Sequence, residues 1–296
     1  MNIIKHKWIF LGVSIALVAA SIFSMSYFGF RQGIDFTGGS LWQLKIEGVS
    51  SEEVQSFFNT KLKLPLSSIS FDAANSSYAL TLENISDAER QAALASIKSG
   101  FAKTAEELDF WSVSPSVSDE IKRGAIMAIV MVLVGISLYI AFVFRKISQP
   151  VSSWKYGLIT LITLVHNVLI PAGLFAALGH YLQLAVDTNF IVALLVVMGF
   201  SVHDTIVVFD RIRENILKSR HVGHLGDIIN RSIGETIRRS INTSLTLILV
   251  LSALYFMGPL SLKYFVLTML AGTTFGTYSS IFVASPMLTL FHRDRS

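Results

Sequence analysis

Cysteine is absent from the 296 residues, which excludes disulfides and any cysteine-held metal. Charge is scarce: Asp, Glu, Lys and Arg make up 15% of the chain, where a soluble globular protein carries about 25%. The short patterns that mark enzymes are missing too. There is no HExxH pair, no nucleophile elbow and no Cys/His cluster. Gly38 and Gly39 stand in GIDFTGGS, without the Lys-Ser/Thr tail of a phosphate loop and without GxGxxG spacing. The expectation is a protein that is not an enzyme, with no catalytic residue, no metal ligand and no cofactor.

What is abundant is apolar surface. The chain is 52% hydrophobic, its mean hydropathy is +0.58, and the apolar residues are bunched. Six runs are long enough to cross a hydrocarbon core of roughly 30 Å. They are Trp8–Phe28, Gly124–Phe144, Tyr156–Leu178, Asn189–Phe209, Ile241–Met257 and Phe265–Leu290. The fifth reaches full length only if Arg238, Arg239 and Ser240 join its helix. The first comes after Lys5 and Lys7 as in a signal peptide, but it is long enough to span and has no small-residue cleavage site beyond it. It reads as an uncleaved span. Trp8, Tyr27, Trp154, Tyr156, Tyr181, Tyr255 and Tyr264 cluster at the run ends, as membrane interfaces favour.

Lys and Arg are asymmetric about these runs. One side's loops hold Lys5, Lys7, Arg145, Lys146, Lys155, Arg211, Arg213, Lys218, Arg220, Arg231, Arg238, Arg239, Arg293 and Arg295. The other side's short loops hold Lys263. The positive-inside rule then puts both termini in the cytoplasm. It also accounts for the net charge of +4, so no nucleic-acid partner is expected, and membrane lipid is the main surrounding.

Residues 30–118 are not membrane-like and should face outward. LWQLKIE (Leu41–Glu47), Ser68–Ala73, Ser77–Glu83 and Leu108–Ser114 read as strands, the middle two joined by a turn at Asn75–Ser76. Ser51–Leu64 and Asp87–Lys103 read as amphipathic helices, the second offering Ala92, Leu94, Ile97 and Phe101 to a core. The order β-α-β-β-α-β is that of a ferredoxin-like unit. Gly38–Gly39 reads as a turn into the first strand, with Asp35 as a turn former.

Asp204 stands out. It lies inside the fourth run, in GFSVHDTIVVFDRIREN, about 9 Å along a helix from Asp210 at 1.5 Å per residue. An acid at membrane depth is costly and usually faces a bundle interior or a wet cavity with a partner. Burial raises such a group's pKa and a nearby cation lowers it, so it suits a protonatable relay. Beside it the alternative is a carboxylate that salt-bridges near the cytoplasmic surface. Arg239, at the start of the fifth run, is the partner this reading expects, and otherwise a positive-inside anchor. His203 leaves the helix about 100° from Asp204 and either joins the relay or bonds at a helix interface. His166 and Asn167 form a second polar pair, in the third run, read as interhelical hydrogen-bond formers, with Pro171 nearby as a site for a kink. Asn242, Thr243 and Ser244 give the fifth run a polar seam. Gly272, Gly276, Ser279 and Ser280 give the last run a small-residue packing face.

Three segments carry a resemblance. GIDFTGG (Gly33 to Gly39, with Asp35, Phe36, Thr37 and Gly38), GFSVHDTIVVFDRIREN, and RRSINTS with GTYSS are similar to those of the SecF family of protein-export subunits. That family belongs to the resistance-nodulation-division superfamily. The resemblance covers essentially the whole chain. It implies a complex with SecD, working with the SecYEG channel on a translocating preprotein and driven by the proton gradient. It implies that Asp204 is the family's fourth-span acid and Arg239 its fifth-span arginine, both in the proton path. Two positions depart from the family pattern: His203 replaces an Asn, and Asn167 replaces an Asp in the third-span His-Asp pair.

The expected fold is a membrane all-α bundle of six transmembrane helices with a small α+β ferredoxin-like periplasmic domain between the first two. The divisions expected are residues 1–29, 30–118 and 119–296. The expected place is the bacterial inner membrane. Two rivals are a proton-coupled exporter of small apolar molecules and a structural subunit with a static Asp204–Arg239 bridge.

Overall fold

The computed structural model describes residues 2–72, 76–101, 105–145, 152–182, 184–219 and 224–291. Asn75, from the expected hairpin turn, and Lys146, Arg220, Arg293 and Arg295, from the charge count, lie outside them. The chain divides into two compact units. One holds Phe30–Met127 and Gly179–Thr188, and the other Met1–Gly29, Ala128–Leu178 and Asn189–Ser296.

In chain order the elements are α1 (Lys7–Phe28), α2 (Ile34–Thr37), β1 (Gly39–Lys45), α3 (Ser51–Phe57), β2 (Leu66–Asp72), β3 (Ser77–Leu82), α4 (Asp87–Gly100) and β4 (Glu106–Val113). Then come α5 (Pro115–Val143), α6 (Ser153–Leu182), α7 (Thr188–Lys218), α8 (Leu225–Met257), α9 (Leu260–Ser279) and α10 (Ser285–Leu290).

The four strands form one antiparallel sheet in the order β2-β3-β1-β4. Alternation along β1 sends Trp42 and Leu44 to one face, where Trp42 pairs with Leu80 and Phe110 and Leu44 with Tyr78. Val54, Phe58, Ala93 and Ile97 of the helical segments close over that face. Each such large side chain contributes about 1.5–3 kcal/mol on burial. Trp42 has no exposed surface, and its indole N–H donates to Glu107 Oε2 at 3.0 Å. Helix α4 buries Ala93 and Ile97 and packs Leu94 and Phe101 against them, whereas Ala92, also expected in the core, is exposed.

Helices α3 and α4 each open with a capping box, Ser50 with Glu53 and Ser86 with Glu89. The first cap is thus Ser50, one residue before the expected start. The backbone N–H and the hydroxyl of Ser86 hold the Glu89 carboxyl below the usual carboxylate range. A depressed folded-state pKa means the cap is at full strength above the ordinary carboxylate value and fades as pH falls through the folded one. A carboxyl NMR titration should read Glu89 as unusually acidic. It should move partway back in Ser86→Ala, which keeps the backbone donor and loses the hydroxyl; an unmoved titration would contradict the cap.

Six helical stretches among the described residues are long and apolar enough to span: Ile4–Phe28, Pro115–Val143, Trp154–Leu182, Thr188–Lys218, Leu225–Met257 and Leu262–Leu290. The chain is a multi-pass membrane protein. Helix α8 takes in Arg238, Arg239 and Ser240, so the fifth span has ample length. The last span is α9 and α10 joined by a π-helical turn, Ser280–Ala284. Pro286 explains it: proline has no N–H for the carbonyl one turn back, and its ring crowds that carbonyl. The wider turn relieves the crowding, and Ser285 Oγ donates to the Ser280 carbonyl at 2.9 Å.

Candidate functional site

Helix α7 buries Val197, Ser201, Asp204, Thr205, Val208 and Ile212, which recur at helical spacing on one face. That face carries Asp204 inward, to 6% exposure. Its Oδ2 accepts a hydrogen bond from Ser280 Oγ at 2.8 Å. Ser280 is the first residue of the π turn. The same hydroxyl lies 3.0 Å from the Thr277 carbonyl oxygen. A serine hydroxyl has one proton, so it serves one of these two acceptors at a time.

A second set of bonds lies in the same helix packing. Asn167 of α6 donates through Nδ2 to Ser201 Oγ at 2.5 Å and to Ser279 Oγ at 2.7 Å. Its Oδ1 lies 2.8 Å from His166 Nδ1, so that nitrogen is the donor and carries hydrogen. His166 therefore bonds within its own helix, and the interhelical bonds expected of the pair all come from Asn167. His166 Nε2 is buried with no partner among the described residues. Ser244 of α8 pairs with Thr277 of α9 through their hydroxyls. His166, Asn167, Ser201, Asp204, Ser244, Thr277, Ser279 and Ser280 thus form polar links through α6, α7, α8 and α9.

The expected pairing of Asp204 with Arg239 is not among the ion pairs of the described residues. Thr236, Ser240 and Ser244 form the buried face of α8, and Arg239, Asn242 and Thr243 fall on its exposed face. Thr243 Oγ1 donates back to the Arg239 carbonyl at 2.9 Å. His203 is exposed on the far side of α7 from the Asp204 face. Ser280, read from sequence as a packing residue, is the partner the carboxylate finds. Its signal in the sequence was faint: a Ser-Ser pair six residues before a proline in an apolar run.

Beyond Asp204, α7 is clasped to α8 by charge. Arg211 bridges Glu214 at 2.5 Å and Glu235 at 2.6 Å, and Asn215 Nδ2 donates to Glu235 at 2.7 Å. Exposed pairs of this kind contribute about 0–1 kcal/mol each, so the clasp acts as a network or hardly at all.

The Gly33–Gly39 segment lies in the other unit. Ile34 and Phe36 are buried, Thr37 is exposed, and Gly38 and Gly39 have φ of 74° and 127° at the turn into β1. Asp35 is not a local turn former. Its Oδ2 accepts from the backbone N–H of Thr188 at 2.8 Å.

Replacing Asn167 by Leu should remove both interhelical bonds and leave Ser201 and Ser279 without that donor. Bonds of this kind in membranes average about 0.6 kcal/mol, so the loss should be about 1–2 kcal/mol. Thermal aggregation of the purified complex in detergent should come earlier in the variant; an unchanged midpoint would remove Asn167 from the packing.

Residues 93–294 match the model of the protein export membrane protein SecD/SecF, C-terminal region, and residues 23–47 that of the SecD/SecF GG motif. Protein translocase subunit SecF of Thermobaculum terrenum is 40% identical over 97% of this chain and 93% of its own length. The SecF subunit of Sebaldella termitidis is 33% identical, over 99% and 92%. Protein translocase subunit SecDF of Thermus thermophilus is 35% identical over 95% of this chain, which spans 36% of that longer protein. A crystal structure of SecDF, a translocon-associated membrane protein, from Thermus thermophilus superposes with a TM-score of 0.84 at 32% identity, over 98% of this chain and 38% of that one. By these matches along nearly its full length, the chain belongs to the SecD/SecF family of protein-export membrane proteins.

Proposed function

We propose that the chain is the SecF subunit of a SecD–SecF complex that uses the proton gradient to assist late steps of Sec-dependent preprotein translocation, without a catalytic step of its own. The setting is the bacterial inner membrane with both termini cytoplasmic, as the Lys and Arg asymmetry favours. The sheet unit is then a ferredoxin-like periplasmic domain between the first two spans, and its strand order 2-3-1-4 supports that reading. The relatives that join both halves in one SecDF chain support SecD as the partner. The SecYEG channel and the emerging preprotein are the further partners, on the family resemblance.

The buried Asp204–Ser280 hydrogen bond carries the mechanism. While Asp204 is ionised, Ser280 donates to it. Once Asp204 takes a proton, its own O–H donates to Ser280 Oγ, and the serine proton turns to the Thr277 carbonyl, already within 3.0 Å. The bond reverses at the mouth of a π turn, and that change of state moves the last span against α7. His166 Nε2, without a partner among the described residues, is a lone pair able to pass a proton. Arg239, His203, Asn242 and Thr243, exposed in this chain, are the groups left to meet SecD and its acid. A potential of about 100 mV supplies roughly 2.3 kcal/mol per charge, enough to bias a modest equilibrium.

Cells depleted of their native subunit test the reading. The chain, co-expressed with its SecD, should restore export of a periplasmic preprotein, and an uncoupler should remove that gain. Restored export that ignores the uncoupler would defeat the proposal.

A further inference from the structure

We infer that the Gly33–Gly39 segment is a strap on the start of α7, and that Asp35 is its positioning residue, acting as a hydrogen-bond acceptor and not as a charge.

The tethers step along the chain in register. Val186 N–H donates to the Arg31 carbonyl at 2.7 Å, and Gly33 N–H donates to the Val186 carbonyl at 2.8 Å, so residues 31–33 lie parallel to Val186 around a Gln32–Val186 bridge. Two residues on, Asp35 takes the N–H of Thr188. Thr188 is the first residue of α7, where a backbone N–H has no partner inside its own helix. Gly33 is required for the approach: a Cβ there would sit 2.9 Å from the Val186 carbonyl oxygen. Buried Ile34 and Phe36 anchor the strap from below, and the Thr37 hydroxyl closes it by donating to the Gly33 carbonyl at 3.1 Å. Gly38 and Gly39, at positive φ, then turn the chain into β1.

The strap matters because the helix it holds carries the buried acid. Helix α7 runs without interruption or proline from Thr188 through Asp204 to Lys218. Thr188 and Asp204 thus belong to one unbroken helix. The link from the tethered first turn to export rests on the proton-coupled function proposed for the chain. The geometry also says which property of Asp35 is used. Its partner is a backbone N–H, and Asn or Ser meets such a donor about as well as Asp does.

The test compares Asp35→Ala and Asp35→Asn in the full chain with its SecD partner. Hydrogen exchange of a peptide containing Thr188 should quicken about fivefold or more in Asp35→Ala, the usual order for loss of a cap, and stay within about twofold in Asp35→Asn. Gradient-dependent export should fall with Asp35→Ala and return with Asp35→Asn. If Asp35→Asn behaves like Asp35→Ala, charge is what counts and the inference is wrong. Unchanged exchange in Asp35→Ala would also end it, as would quickened exchange with fully coupled export. Gly33→Ala, which leaves Asp35 intact and crowds Val186, should loosen the same peptide if Asp35→Ala fails to assemble. Export that ignores the gradient in every form, wild type included, with a loosened first turn in Asp35→Ala, would sink the proton-coupled function and leave the strap standing.

Discussion

Asp204→Asn should assemble with its partner and yet export preprotein at a rate that no longer responds to an uncoupler. The substitution is close to isosteric. Asn can accept from Ser280 Oγ through its oxygen or donate to it through its nitrogen, as the protonated acid does. The hydrogen bond at the π turn therefore survives, and packing should change by less than about 1 kcal/mol, the scale of such bonds in membranes. What is lost is titration. The side chain is locked in the neutral state, and the roughly 2.3 kcal/mol per proton that about 100 mV supplies has nothing to act on. Export of a periplasmic preprotein, followed with and without uncoupler after assembly is confirmed, reads the difference. Wild-type export with wild-type proton dependence would make Asp204 an ordinary buried polar residue.

Gly173→Leu should prise the first span from α6. Helix α1 buries little of itself: Leu11, Ser14, Ser21 and Ser24. Ser21 and Ser24 meet α6, while Phe10 and Ser14 meet the last span. Ser24 Oγ donates to the Gly173 carbonyl at 2.7 Å, and Ser14 Oγ to the Tyr278 hydroxyl at 3.4 Å. At Gly173 the two helices meet backbone to backbone, and a Cβ would overlap Ser21 Cα. Backbone atoms cannot swing aside as a side chain can, so the helices must part. Overpacking of this kind costs about 1–3 kcal/mol or more. At about 2–4 °C per kcal/mol the melting midpoint in detergent should fall by several degrees. Gly135→Leu is the control, since a Cβ at Gly135 meets nothing within 4 Å. Equal behaviour of the two variants would contradict the close approach.

The spans were legible because hydrocarbon thickness sets a run length that sequence displays directly. Asp204 was legible because an acid in such a run is expensive and therefore rare. Its partner was not, for a related reason. Sequence gives the phase of each helix but not which faces meet, and among polar groups the eye goes to charge. Arg239 looked like the natural partner, yet α8 turns it outward and presents Ser240 and Ser244 inward. Serine is so cheap in an apolar helix that Ser280 carries no warning. Asp35 failed differently. Next to Gly38–Gly39 it looked local, and its real contact is 153 residues away. The strands were readable from alternation to within two residues at either end.

The π turn in the last span adds a kind of dependence that no side chain has. Ser279 and Ser280 lie at its start, and Ser285 and Leu288 lie beyond it, all buried. A π turn takes in one residue more than an α turn. Winding the same residues as a regular α-helix would turn each half by about 100° relative to the other. Either the serines would swing away from Asp204 and Asn167, or the end of the span would swing out of its seat. The site is thus written in the width of one turn as well as in the identity of its residues, and a helix of the same sequence wound evenly would no longer spell it.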